Sequence, residues 1–140
     1  MEDGIEGADS FSVLLLGIVF DPDKRQVLIM RRQNDPYIKN LTWSFPGGKA
    51  DKEENLEDSL RKEIKEKTGH DVEILGPVFS RIIPEKKDFI IIYYLCEVMS
   101  GELRIGGSSK ELKWIKPEEL RKYFTTSFEP ALEEYIINLK

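Results

Sequence analysis

The stretch that decides the fold runs from Trp43 to Asp71: W-S-F-P-G-G-K-A-D-K-E-E-N-L-E-D-S-L-R-K-E-I-K-E-K-T-G-H-D. It reads as a short strand, a Gly-Gly turn and one acidic helix. Asn55 is an N-cap residue type, and Asp58 three positions on resembles the acidic member of a capping box. Gly69 signals the stop, because glycine fits the left-handed position that follows a helix. Beside the glycine turn lie the carboxylates of Asp51, Glu53, Glu54, Glu57, Asp58, Glu63 and Glu66. Carboxylate and carbonyl oxygens are the ligands a hard divalent cation takes.

The helical arrangement narrows this set. With Glu63 at zero and about 100° per residue, Leu56, Lys67, Leu60 and Ile64 fall at roughly +20°, +40°, +60° and +100°, and Glu66 near −60°. Glu63 and Lys67 thus share the sector of the apolar stripe and Glu66 flanks it, while Lys65, Asp58 and Arg61 point to water. A carboxylate beside a buried face is costly unless a cation compensates it, which places a candidate site at the helix edge. The blander reading is a solvated helix laced with i,i+4 pairs: Glu57–Arg61, Asp58–Lys62, Lys62–Glu66 and Glu63–Lys67.

Working outward, 140 residues give one domain, 1–140, with room for one core and a frayed tail over residues 1–10. The hydrophobic share of 40% and charged share of 34% describe a soluble globular chain. A net charge of −5 argues against a nucleic-acid polymer or an anionic membrane as main partner. Small phosphorylated ligands stay open, since a bound metal reverses the local field. The single cysteine, Cys96, sits in an apolar run and reads as an inert core residue. The apolar runs at 13–20 and 89–96 are too short to span a bilayer, and the start of the chain lacks a targeting pattern, so the cytosol is the expected compartment.

Residues 11–20 read as a strand buried on both faces and 26–32 as its hairpin partner across the turn Asp21-Pro22-Asp23-Lys24. Arg31 and Arg32 end that strand before the loop 33–41; either one of them reaches a phosphate or both are rim charges. Residues 72–83 and 89–98 read as two further strands. Tyr93 and Tyr94 point in opposite directions, one to the core and one to a pocket or solvent. The stretch 101–110, with Gly101, Gly106, Gly107, Ser108 and Ser109, is flexible by composition. A short strand at 111–115 follows, then a small helix opened by Pro117. The last helix starts near Thr126 or Ser127 and carries Phe128, Leu132, Tyr135, Ile136 and Leu139 on one stripe. Strands interrupted by helices give an α/β or α+β layered domain.

The central stretch resembles the Nudix box, G-x5-E-x7-R-E-U-x-E-E-x-G-U with U aliphatic. Gly48, Glu54, Glu63, Ile64, Glu66 and Gly69 fall in register, and Trp43-Ser44-Phe45-Pro46-Gly47-Gly48-Lys49 looks like the lead-in. Register held over this length is a far more specific signal than a lone glycine motif. The resemblance implies a Nudix-like α/β/α sandwich with a mixed sheet between helices. It also implies a Mg²⁺- or Mn²⁺-dependent pyrophosphohydrolase, which splits a nucleoside diphosphate-X substrate by attack of water on phosphorus. Glu63 and Glu66 would hold the metal with the Gly47 carbonyl, and Glu54 and Lys62 would pair to brace the helix. Glu111 resembles a downstream glutamate that serves as extra ligand or base, its other reading being an ordinary strand residue. Arg31, Arg32, Phe45 and Lys49 are the substrate-facing candidates, although Phe45, Tyr93 and Tyr94 each fit core packing as well as stacking on a base. The implied partner is a small nucleotide-type molecule, bound by a monomer or homodimer.

Three positions depart from the pattern. Lys62 replaces an arginine and loses its planar two-bond fork. His70 replaces an aliphatic residue, in a structural role. Lys67 replaces the second glutamate of the E-E pair, a principal metal ligand, and so exchanges a negative ligand for a cation. One unit-charge pair at about 4 Å is worth roughly 4 kcal/mol at an effective dielectric of 20, an upper guide because lysine can swing away. Metal binding is therefore expected to be weakened or displaced, and a catalytically weakened or inactive nucleotide-binding module is the alternative to the hydrolase.

Overall fold

The computed structural model describes residues 10–32, 43–107, 109–124 and 128–140. The tail at 1–9, the loop 33–42 and the expected start of the last helix at Thr126 or Ser127 lie outside the described residues. The strands are β1 (Ser12–Asp21), β2 (Gln26–Arg31), β3 (Trp43–Ser44), β4 (Gly47–Lys49), β5 (His70–Ile83), β6 (Lys86–Gly101) and β7 (Glu111–Ile115). The helices are α1 (Leu56–Thr68), α2 (Leu120–Tyr123), entered through a 3-10 turn at Pro117–Glu119, and α3 (Pro130–Ile137).

One mixed sheet runs in the order β3-β2-β1-β6-β5, with β4 also paired to β1 and β7 to β2. The apolar run of β1 is explained by its place at the centre. It lies parallel to β6, with Leu14 opposite Ile91 and Ile18 opposite Leu95, and antiparallel to β2 and β4. Because side chains alternate between faces, Leu14, Ile18 and Phe20 enter one core and Leu15 and Val19 the other. The first core also takes Leu120 from α2 and Leu132 and Ile136 from α3; the second takes Leu60 and Ile64 from α1. Helices therefore cover both faces of the sheet, the sandwich that the resemblance to the Nudix box implies.

The same two-sided cover corrects one expectation. Tyr93 and Tyr94 do point oppositely, but each enters a core and neither faces solvent. Burial raises both phenols above their ordinary pKa, and for Tyr93 the Arg81 guanidinium, whose Nε donates to the phenol oxygen at 3.3 Å, offsets part of the rise. Cys96 is fully buried in the second core, and loss of water pushes its thiol up to about 12. No helix among the described residues is long and apolar enough to cross a membrane.

Helix α1 begins and ends where its caps dictate. Asn55 Oδ1 accepts from the Asp58 amide at 2.8 Å, and Gly69 closes the helix at φ 83°, its amide donating to Lys65 O at 2.9 Å. Its buried face is Ser59, Leu60, Ile64, Lys67 and Thr68. Leu56, placed in that sector by the wheel, is instead 38% exposed. Helix α3 starts at Pro130, behind Glu129 as its cap, since proline is preorganised for the first helical position. Of its expected stripe Leu132 and Ile136 are buried, whereas Tyr135 is exposed.

Candidate active site

The site lies where the glycine turn on β4 meets the edge of α1. β4 is held against β1 by the register Leu16 to Gly47 and Leu15 to Gly48, which sets the Gly47 carbonyl and Gly48 Cα beside the helix. A methyl group on Gly48 would lie 2.3 Å from Glu63 Oε1, so only glycine lets that carboxylate sit against the turn. Glu54 and Lys62 pair at 2.7 Å across the turn before α1 and the helix itself, the brace expected for these two positions. The hydrogen bond that the Lys62 ammonium donates to the Glu54 carboxylate holds it above its ordinary pKa.

Lys67 is the decisive side chain. Its Nζ donates to the Gly47 carbonyl oxygen at 2.5 Å and lies 3.0 Å from Glu63 Oε1. Lys67 is only 7% exposed, although lysines are rarely buried unless paired. Its cover is the segment 102–110. Arg104 N donates to Thr68 O at 2.8 Å, and Gly106 N (3.3 Å) and Ser109 Oγ (3.1 Å) donate to Lys67 O. Those bonds satisfy carbonyls that the end of a helix otherwise leaves open. The glycine-rich composition of this segment reads as flexible, but its described residues pack on α1. The missed signal is its position: it is the stretch that returns the chain to the open end of α1.

The arrangement gives two members of the expected metal set another partner. Gly47 O and Glu63, two of the three groups assigned to a divalent ion, are bridged by the Lys67 ammonium. Glu66 is exposed on the same edge, toward Gly107, and has no ion pair among the described residues. Among the described residues no group of three or more His, Cys, Asp or Glu side chains could hold a metal ion.

Other sequence candidates make their own contacts. Phe45 is 2% exposed, with its ring packed edge-on to Tyr93 and Phe124, so of its two readings it takes core packing and is not a substrate-facing residue. Arg31 and Glu111 stand opposite each other on β2 and β7 and form a half-exposed ion pair at 3.1 Å. Arg32 is half-buried at the end of β2, and Lys49 is exposed at the end of β4. His70 is buried, its Nδ1 3.2 Å from Ser100 O and its ring edge-on to Trp114, in keeping with a structural role. Of the expected helix pairs, Glu57–Arg61 (3.7 Å) and Glu63–Lys67 form. Arg61 takes Asp58 at 2.7 Å, and Lys62 reaches Glu54 instead of Asp58 or Glu66.

The sequence profile of the NUDIX domain matches residues 13–135, nearly the whole chain. The chain belongs to the NUDIX family. Among its relatives, an 8-oxo-dGTP diphosphatase of Buchnera aphidicola subsp. Schizaphis graminum is 32% identical over 129 residues, 91% of this chain and 92% of that protein. An ADP-ribose pyrophosphatase of Methanocaldococcus jannaschii is 28% identical over 128 residues, 89% of this chain and 73% of its relative. A solved structure from work on MutT of Aliivibrio salmonicida and Vibrio cholerae superposes with a TM-score of 0.71 at 19% identity, covering 92% of this chain and 98% of that one, a likeness of fold. This NUDIX chain is accordingly a hydrolase, of a family whose members include these named pyrophosphatase and diphosphatase relatives, and NUDIX hydrolases generally use divalent metals.

Proposed function

We propose that this chain hydrolyses the pyrophosphate link of a nucleoside diphosphate-X type small molecule, by attack of water on phosphorus. The observation that carries the reading is the seat of Glu63 against Gly48, with the Glu54–Lys62 brace behind it. The relatives act on different nucleotide compounds by name, ADP-ribose and 8-oxo-dGTP, and a pyrophosphate between a nucleoside and another group is their shared chemistry.

In this reading the substrate lies across the β4–α1 edge. Glu66, exposed there, takes the proton of the attacking water. Lys67 supplies positive charge beside the phosphates, and its bond to Gly47 O fixes the turn against the helix. Lys49 and Arg32, at the ends of the neighbouring strands, are proposed to meet the phosphates from outside. Divalent metal chemistry is the family's usual means of neutralising phosphate oxygens, but the donors at Gly47 and Glu63 do not fit a divalent ion while Lys67 occupies them.

The test is a panel of nucleotide sugars, dinucleotides and nucleoside triphosphates, assayed with Mg²⁺, with Mn²⁺ and in EDTA. Release of a nucleoside monophosphate from at least one compound, abolished in Glu63→Gln and in Glu66→Gln, is the expected result. Undiminished turnover in both variants removes the assigned roles. A second reading, a nucleotide-binding module with weakened or lost catalysis, is favoured by the buried ammonium in the site. Nucleotide binding that persists in EDTA with no turnover under either metal distinguishes it.

A further inference from the structure

The family's chemistry asks for a cation between the glycine turn and the first turn-facing glutamate of α1, and this structure has one built into the chain. Lys67 Nζ bonds Gly47 O and lies 3.0 Å from Glu63 Oε1. Mg²⁺ demands near-octahedral oxygen ligands at about 2.0–2.1 Å, and an ammonium already within hydrogen-bonding distance of both oxygens excludes an ion from that place. We infer that Lys67 is a tethered cation standing in the divalent-ion position, so that the Gly47–Glu63 edge takes no divalent ion of its own. The inference rests on reading this edge as the phosphate-handling site.

Two features make this more than a surface ion pair. First, the ammonium is enclosed: the residue is 7% exposed, and a methyl on Gly107 would stand 3.3 Å from Lys67 Cγ and 3.5 Å from Glu66 Oε1, so the segment runs over both side chains. Second, the backbone beneath is held: Gly106 N donates to Lys67 O, and the single Ser109 hydroxyl proton is shared between Lys67 O at 3.1 Å and Gly106 O at 2.6 Å. For a divalent ion to enter, the lysine must leave a covered position and give up two acceptors together. Swinging free, the easy escape for an exposed lysine, is blocked by residues 102–107 and Ser109. The consequence is that Gly47 O and Glu63 are held together by a charge of the chain's own, whether or not free metal is present.

The test titrates Mn²⁺ alone into the wild-type chain and into Lys67→Glu, following heat of binding and melting temperature, with EDTA as reference. Wild type is expected to show no saturable site and no rise in melting temperature. Lys67→Glu, which sets a second carboxylate beside Glu63, is expected to melt lower in EDTA and to recover with Mn²⁺, binding it at least about tenfold more tightly than wild type. Wild-type binding as tight as that of Lys67→Glu overturns the inference. Should Lys67→Glu fail to fold, the wild type decides alone, since a saturable Mn²⁺ site that disappears in Glu63→Gln overturns it equally. Nucleotide turnover is read separately. Turnover with Mn²⁺ bound at this edge keeps the hydrolase and sinks the tethered cation, whereas no Mn²⁺ site and no turnover does the reverse.

Discussion

Replacing Lys67 by methionine keeps most of the side-chain volume and removes only the charge. In the wild type the ammonium holds a carboxylate at 3.0 Å and a backbone carbonyl under a covering segment. Coulomb attraction at about 3 Å and an effective dielectric of 20 sets an upper bound of roughly 5.5 kcal/mol. Glu63 keeps 29% of its side chain in water, so it recovers part of that by hydration once the lysine is gone. A charge-assisted hydrogen bond contributes about 1.5–3 kcal/mol net, and the methionine regains some apolar burial. The expected loss is therefore about 2–3 kcal/mol, which for a chain of this length lowers the melting temperature by roughly 7–10 °C. The assay is denaturant and thermal unfolding of Lys67→Met, Glu63→Gln and the double variant as a cycle. A coupling energy of about 1.5 kcal/mol or more is expected between residues in such contact. A loss below about 0.5 kcal/mol with no coupling, the behaviour of surface substitutions, would refute the enclosed pair.

Gly48→Ala should displace the Glu63 carboxylate, because the new methyl falls 2.3 Å from its Oε1; a loss of turnover of about a hundredfold is expected, as for a misplaced catalytic contact, together with a lower melting temperature because Lys67 loses its carboxylate partner, and unchanged turnover would contradict it. Ser109→Ala removes the hydroxyl donor to Lys67 O and one anchor of the covering segment; amide exchange in that segment should quicken, and unchanged protection would show that it is held otherwise. The Cys96 thiol should resist thiol reagents at pH 8 until the chain is unfolded, since burial pushes it up to about 12. The sign of its pH effect is fixed. The unfolded thiol ionises first, near its ordinary value of 9.0, so the stability that depends on it is intact below that pH and is lost as pH rises toward about 12. Wild type should lose about 1.4 kcal/mol more per pH unit in that window than Cys96→Ala, and parallel curves would reject the assignment.

Most of the fold was legible because its signals are local. The hairpin turn at 21–24, the Asn55 cap, the Gly69 stop and the proline that opens the 117–119 turn act within a few residues of themselves. β1 read as buried on both faces because its apolar run does not alternate. The destination of Tyr93 and Phe45 was not legible, since an aromatic residue looks the same in a core as in a pocket until the covering elements are placed. Here those elements are α2, α3 and Phe124, all distant in sequence. Within the site, the register of Gly48, Glu54 and Glu63 could be read, and so could the oddity of Lys67. What could not be read was the fate of that lysine. A helical wheel gives a side chain's direction but not its cover, and the cover comes from the segment 102–110, whose composition argues for mobility.

The measurement that bears most directly on the central claim is an anomalous-difference map from a crystal of the wild-type chain soaked in Mn²⁺. With Lys67 as the resident cation, the map should be featureless between Gly47 O and Glu63, and the ammonium should keep both bonds. A manganese peak between those two oxygens, with the Lys67 side chain turned out from under residues 102–110, would contradict the account.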